Sequence, residues 1–192
     1  MNATSFGKRG TLRSPHWPSV EHFVRHILHP ICQICGNAQV QVHHIHPFED
    51  CRDAGRPELE LCLENLCSLS ETEATGTTAA RPVPNCHLIV GHLGNFKSYN
   101  PQLASMLVAW KGLPIEAIQR RAEWQEMSKG RPVEYHAMAS SDQKAFRDLL
   151  DRDLPKDKIT VWDGHHWVRN GFVLRPEEAV IQDPALLVAA TA

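Results

Sequence analysis

Two cysteines separated by two residues, Cys32 and Cys35 in CQICG, constrain this chain more than any other feature. That spacing lets two thiolates reach one tetrahedral Zn²⁺, and Gly36 directly behind them relieves the turn that wraps the ion. A complete structural site needs two more ligands. Cys86, in NCH, is the best third; for the fourth, Cys67 lies in the right neighbourhood, Cys62 is weaker and Cys51 sits alone in a polar stretch. Disulfides are the competing use of six cysteines. Yet 192 residues with 42% apolar content can bury a core unaided, and the opening residues lack the apolar run and small-residue cleavage site of a secretory signal. No stretch approaches the roughly 18 apolar residues of a membrane span. The expectation is a cytoplasmic metalloprotein with no membrane partner.

The formal net charge of -2 does not advertise a nucleic-acid binder, but the charges are unevenly spread. Residues 1–30 carry Lys8, Arg9, Arg13 and Arg25 against the single acid Glu21, whereas residues 31–100 carry eight acids and four bases. A basic arm beside an acidic, histidine-rich core suits a polyanionic substrate and a bound cation. Lys8, Arg9 and Arg13 are therefore the candidate phosphate contacts.

Punctuation and periodicity divide the chain into four segments and an α+β architecture. Residues 1–29 read as a basic arm followed by a short helix that Ser19 caps and Pro30 stops. Residues 30–100 hold every cysteine; Val40 to Ile45 has strand composition, and Glu71 to Pro84 reads as a long polar loop. Residues 101–129 form a helical extension. Asn100 precedes a stripe of Leu103, Met106, Leu107 and Trp110, and a second helix from Pro114 to about Met127 turns Ile115, Ile118, Ala122 and Met127 inward. Residues 130–192 form a small α+β appendage: a helix from Ser141 to about Arg152, then an antiparallel β meander whose turns are Asp163-Gly164 and Asn170-Gly171. Trp17 and Phe23 read as core.

Three histidines crowd into VHHIHP, residues 42–47, and a fourth follows Cys86 directly. Taken in order, CQIC, VHHIHP, ENL and NCH resemble the HNH endonucleases of the ββα-metal fold, in their zinc-containing subgroup. The resemblance spans about residues 30–100. It implies that His43 and His87 are ligands of a catalytic divalent metal, that His44 is the general base and that Asn65 orients it. It also implies a structural zinc on Cys32, Cys35, Cys86 and a fourth cysteine. The family pattern presents a second Cys-x-x-Cys where this chain has Leu69-Ser70, so either Cys67 moves in as the fourth ligand or three thiolates remain; Cys67 is the expectation.

The chemistry suits these residue types. In-line attack on a phosphodiester needs a base to deprotonate water and a cation to stabilise the developing charge, and histidine, with a pKa of about 6.5, suits the base role. Two geometric demands follow. Neighbours on a strand point to opposite faces, so a bulge must re-aim His43 or His44 if both serve one site. His92, five residues after His87, lies about 140° away on a regular helix and shares a metal only if the helix breaks near Gly91. His46 and His92 are accessory candidates. The implied activity is endonucleolytic hydrolysis of DNA with Mg²⁺, Mn²⁺, Ni²⁺ or Zn²⁺. The alternative is a catalytically decayed zinc module that binds nucleic acid or protein.

Overall fold

A computed structural model of the chain describes residues 13–71 and 84–181. Lys8 and Arg9 lie outside the described residues, as does most of the polar loop after Glu71. The elements run α1 (Trp17–Phe23), a π-helical turn (Val24–Leu28), β1 (Val40–His44), α2 (Phe48–Asp53), 3₁₀ turns at Pro57–Leu61 and Leu63–Asn65, and β2 (Leu66–Ser70). A second π-helical turn (His87–Gly91) precedes α3 (Leu103–Ala109), α4 (Ile115–Gln119), α5 (Ala122–Lys129) and α6 (Ser140–Asp153). Strands β3 (Thr160–Trp162), β4 (Trp167–Arg169) and β5 (Phe172–Leu174) lead to α7 (Pro176–Ile181). Helices and two small antiparallel sheets make an α+β fold. Among the described residues no helix is long and apolar enough to cross a membrane.

The chain divides into two compact units, and neither is contiguous. The ribbon unit takes Val24–Ile45 and Leu66–Pro132; the meander unit takes residues up to Phe23, His46–Asn65 and residues from Val133 onward. This differs from the linear four-segment reading. The reason lies in burial: Cys51, Leu59 and Cys62, inside the expected 30–100 core, pack instead with Tyr135, Phe146, Leu150, Leu154 and Ile159.

In the ribbon unit β1 pairs with β2 in unbroken one-to-one register, from Val40 opposite Ser70 to His44 opposite Leu66. Val40 and Leu69 face a core shared with Val90, Leu103, Met106, Trp110 and Ile118. Asn100 is buried at the start of α3: its Oδ1 accepts the Gln102 N–H at 2.9 Å and its Nδ2 donates to the Val90 carbonyl at 2.9 Å. The helix expected from Pro114 to Met127 is broken, because Arg121 is extended at φ -70°, ψ 137°. The break leaves Ala122 exposed and lets the Trp124 indole donate to the Ile89 carbonyl at 2.8 Å. A part-buried hydrogen bond thus accompanies the loss of one turn of continuous helix.

In the meander unit Phe146 and Leu150 form the buried stripe of α6. The order β3-β4-β5 is the expected meander. Its turns use the residues the sequence supplies, with Gly164 at φ 110° and the pair Asn170 and Gly171 at φ 48° and 78°. Trp17 and Phe23 are buried, and the Phe23 ring packs 4.8 Å from that of Trp167.

Candidate metal centre

Cys86 and His87 open the segment on which both candidate metal sites depend. The backbone from His87 to Gly91 is π-helical, closed by a His92 N–H donating to the His87 carbonyl at 3.1 Å. A bond from residue i+5 back to residue i completes a turn in five residues rather than four, so His87 and His92 come to one side. His92 therefore joins the cluster from just beyond the end of the turn at Gly91, through a wider i+5 closure that a 100° periodicity does not contain. His43, from β1, completes it. One ring nitrogen from each of His43, His87 and His92 lies within 4.8 Å of the other two, and the ring centroids are 4.8–5.1 Å apart.

The surroundings of the three rings suit a cation. The His87 Nδ1 is buried with no hydrogen-bond partner among the described residues, and the Glu71 carboxylate stands 3.6 Å from it. Burial pushes the His87 pKa down to about 4, so the ring is neutral and able to ligate at physiological pH. His92 Nδ1 is 2.6 Å from the Ser98 carbonyl, which occupies that nitrogen and leaves Nε2 for a metal. Gly91 makes room for the third ring: a Cβ there would sit 3.2 Å from both Cε1 and Nε2 of His43 and 3.1 Å from Cδ1 of Leu69.

The second cluster is Cys32, Cys35 and Cys86, whose sulfurs lie within 4.8 Å of one another. Gly36, at φ 74°, donates its N–H to the Cys32 carbonyl at 2.9 Å, and the Cys35 N–H points at the Cys32 sulfur from 3.4 Å, the local geometry of a thiolate knuckle. The Cys86 thiol hydrogen-bonds Cys32 and lowers its pKa; a cation between them would take the place of that shared proton. Cys67, the expected fourth ligand, is outside this set. It is fully buried on β2 opposite His43, and burial raises its thiol pKa. Ser70 stands at the cluster instead: its Oγ is 3.3 Å from the Cys35 sulfur, accepts the Cys86 N–H at 3.3 Å and donates to the Pro84 carbonyl. Cys51 and Cys62 are core residues of the meander unit, and their thiols donate to the His46 carbonyl and the Glu64 carboxylate. All six cysteines are free thiols.

The remaining predicted residues fall elsewhere. His44 is buried at the end of β1 and is not in the imidazole cluster; the unbroken register contains no bulge to bring it there. Asn65 is fully buried and clasps backbone: its Oδ1 accepts the His46 N–H at 2.8 Å, and its Nδ2 donates to the His46 and Leu59 carbonyls, each at 3.0 Å. These bonds hold both ends of the 46–65 segment. His46 is buried beside Phe146 with its Nε2 3.9 Å from Asp153, and burial lowers its pKa while Asp153 opposes the shift. Arg13 is half-buried, its guanidinium centred 4.2 Å over Trp17 and 4.6 Å over Phe48, so aromatic faces hold the cation that was expected to reach a phosphate.

Sequence reasoning missed Ser70 as the occupant of the fourth corner, Gly91 as the space for His43, and Phe96 beside the triad. The Gly91-His92 pair was the available signal. No protein-family model, curated protein or solved structure matches the chain.

Proposed function

We propose that the chain is a metal-dependent endonuclease that hydrolyses phosphodiester bonds in DNA, working at the centre formed by His43, His87 and His92. The convergence of three imidazoles on one point, two of them from segments that resemble the HNH pattern, carries the reading. A divalent ion held there would supply Lewis-acid stabilisation for charge building on the phosphoryl and leaving oxygens. An all-imidazole triad favours Zn²⁺ or Ni²⁺ over Mg²⁺ or Mn²⁺. On the resemblance, the proton of the attacking water goes to His44, whose ring the regular register holds outside the imidazole cluster. Asn65 fixes the 46–65 segment of its own unit through its bonds to His46 and Leu59. The cysteine cluster would hold a structural Zn²⁺ and so anchor the start of the π-helical turn.

Supercoiled plasmid incubated with the protein across divalent metals tests this reading. Cleavage should appear with the metals that imidazoles prefer, and His44→Ala should lower it by about 10²- to 10⁴-fold with metal content unchanged. The regular register at His44 favours one competing reading, the decayed zinc module. Protein that binds metal at the imidazoles yet leaves plasmid intact under every condition would establish that module.

A further inference from the structure

Phe96 is a large apolar side chain left 51% exposed, and its place is not random. Its ring centroid lies 5.7 Å from that of His87 and 5.1 Å from that of His92, so it borders two of the three clustered imidazoles. The loop that carries it is closely specified. Leu93 and Gly94 are consecutive left-handed residues at φ 52° and 82°, an arrangement that costs free energy for leucine and persists only where the surroundings impose it. Asn95 Oδ1 accepts the Lys97 N–H at 3.0 Å, the Asn95 carbonyl accepts the Ser98 N–H at 2.8 Å, and the Asn100 N–H returns to the Gly91 carbonyl at 3.0 Å. The loop thus holds an aromatic ring at the edge of the imidazole cluster, part of it in solvent. Phe96 is not among the residues that pack into this unit's core, where Trp110 is buried and Trp124 partly buried.

We infer that Phe96 is the platform on which a nucleobase of the substrate stacks, placing the adjoining phosphodiester at the His43–His87–His92 centre. The inference rests on the nuclease reading and adds a positioning residue to it. Aromatic stacking accepts any base, because every base presents a π face, so Phe96 contributes register along the strand without sequence specificity. Lys97, exposed and next in sequence, brings positive charge to the same loop.

The experiment uses the full chain loaded with Co²⁺ and single-stranded oligodeoxynucleotides carrying 2-aminopurine at successive positions, whose fluorescence falls on stacking. On oligonucleotides short enough to bind in one register, the parent protein should quench the probe at one position. Phe96→Ala should remove that quenching and weaken binding by about 5- to 100-fold, whereas Phe96→Trp should retain both. An abasic site at the quenched position should erase the difference between parent and Phe96→Ala. The visible cobalt spectrum should be the same in all three proteins. Phe96→Ala that binds and quenches like the parent overturns the platform and leaves the nuclease reading standing, and so does Phe96→Ala with an altered cobalt spectrum, which would assign the ring to supporting the metal ligands. A parent protein that binds no oligonucleotide overturns both.

Discussion

The Cα of Gly91 faces the imidazole of His43 so closely that a single added methyl would stand 3.2 Å from its Cε1 and Nε2. The glycine is at a site of contact between the π-helical turn and β1, and the ring it admits is one of three that converge. Gly91→Ala should therefore displace His43 and lower metal affinity at the imidazole centre by about 10-fold, within the cost usual for overpacking. The cysteine cluster should be unaffected. Cobalt titration followed at the separate imidazole and thiolate absorption bands measures the two sites independently.

His92→Ala should reduce metal affinity at the imidazole centre about as much as His43→Ala does, because the π turn makes it a full member of the triad. His46→Ala should leave metal binding unchanged and act on stability, since its ring packs with Phe146 and near Asp153. Equal metal stoichiometry in His92→Ala and the parent, determined after dialysis, would remove His92 from the site.

Ser70, and not Cys67, stands beside the three clustered cysteines. Ser70→Cys should add a fourth thiolate to Cys32, Cys35 and Cys86, tighten zinc binding and intensify the sulfur-to-cobalt charge-transfer band. Cys67→Ser should retain the parent's band and lose about 1–3 kcal/mol of stability by burying a hydroxyl. A band lost in Cys67→Ser but kept in Ser70→Ala would restore Cys67 as the ligand.

Asn65→Ala removes three hydrogen bonds from a site with no exposure and leaves the His46 and Leu59 backbone groups short of partners. The expected loss is about 3 kcal/mol, read from the urea midpoint. Asn65→Asp should recover little of it, because a carboxylate cannot donate to the two carbonyls.

The depressed pKa of His87 has a defined consequence for metal-free protein. Its folded value is about 4, against about 6.5 in an unfolded chain. Between those values the unfolded state binds a proton that the folded state refuses, so stability is full above about pH 6.5, declines as pH falls toward 4 and levels off below. The decline attributable to this ring is on the order of 3 kcal/mol. Urea denaturation from pH 7.5 to 4 should show it, and His87→Gln should flatten the curve.

Local chemistry was readable in the sequence wherever short-range geometry decided the outcome. The Cys32–Cys35 knuckle with Gly36, the Asn170-Gly171 turn and the apolar stripe of Leu103, Met106 and Trp110 each follow from one period or one turn type. Features that depended on a competing hydrogen bond were hidden. The π turn that brings His92 beside His87 violates the assumed period, and the break at Arg121 accompanies a bond between Trp124 and Ile89 that no periodicity records. Cys62 looked like a weak fourth ligand because nothing in one dimension shows that it packs into the core around Phe146 and Leu150. Arg13 looked like a phosphate contact because nothing in sequence announced that Trp17 and Phe48 would enclose it.

Cys86 and His87 are joined by one peptide bond and belong to different clusters. An ion on either cluster would restrain the same backbone, so any ordering cost borne by the first ion would be spared the second. Thermodynamic linkage makes this mutual: whatever factor an ion on the thiolates adds to the affinity of the imidazoles, an ion on the imidazoles must return to the thiolates. The chain would then load its two metals cooperatively, as a single switch between an empty and a doubly occupied protein.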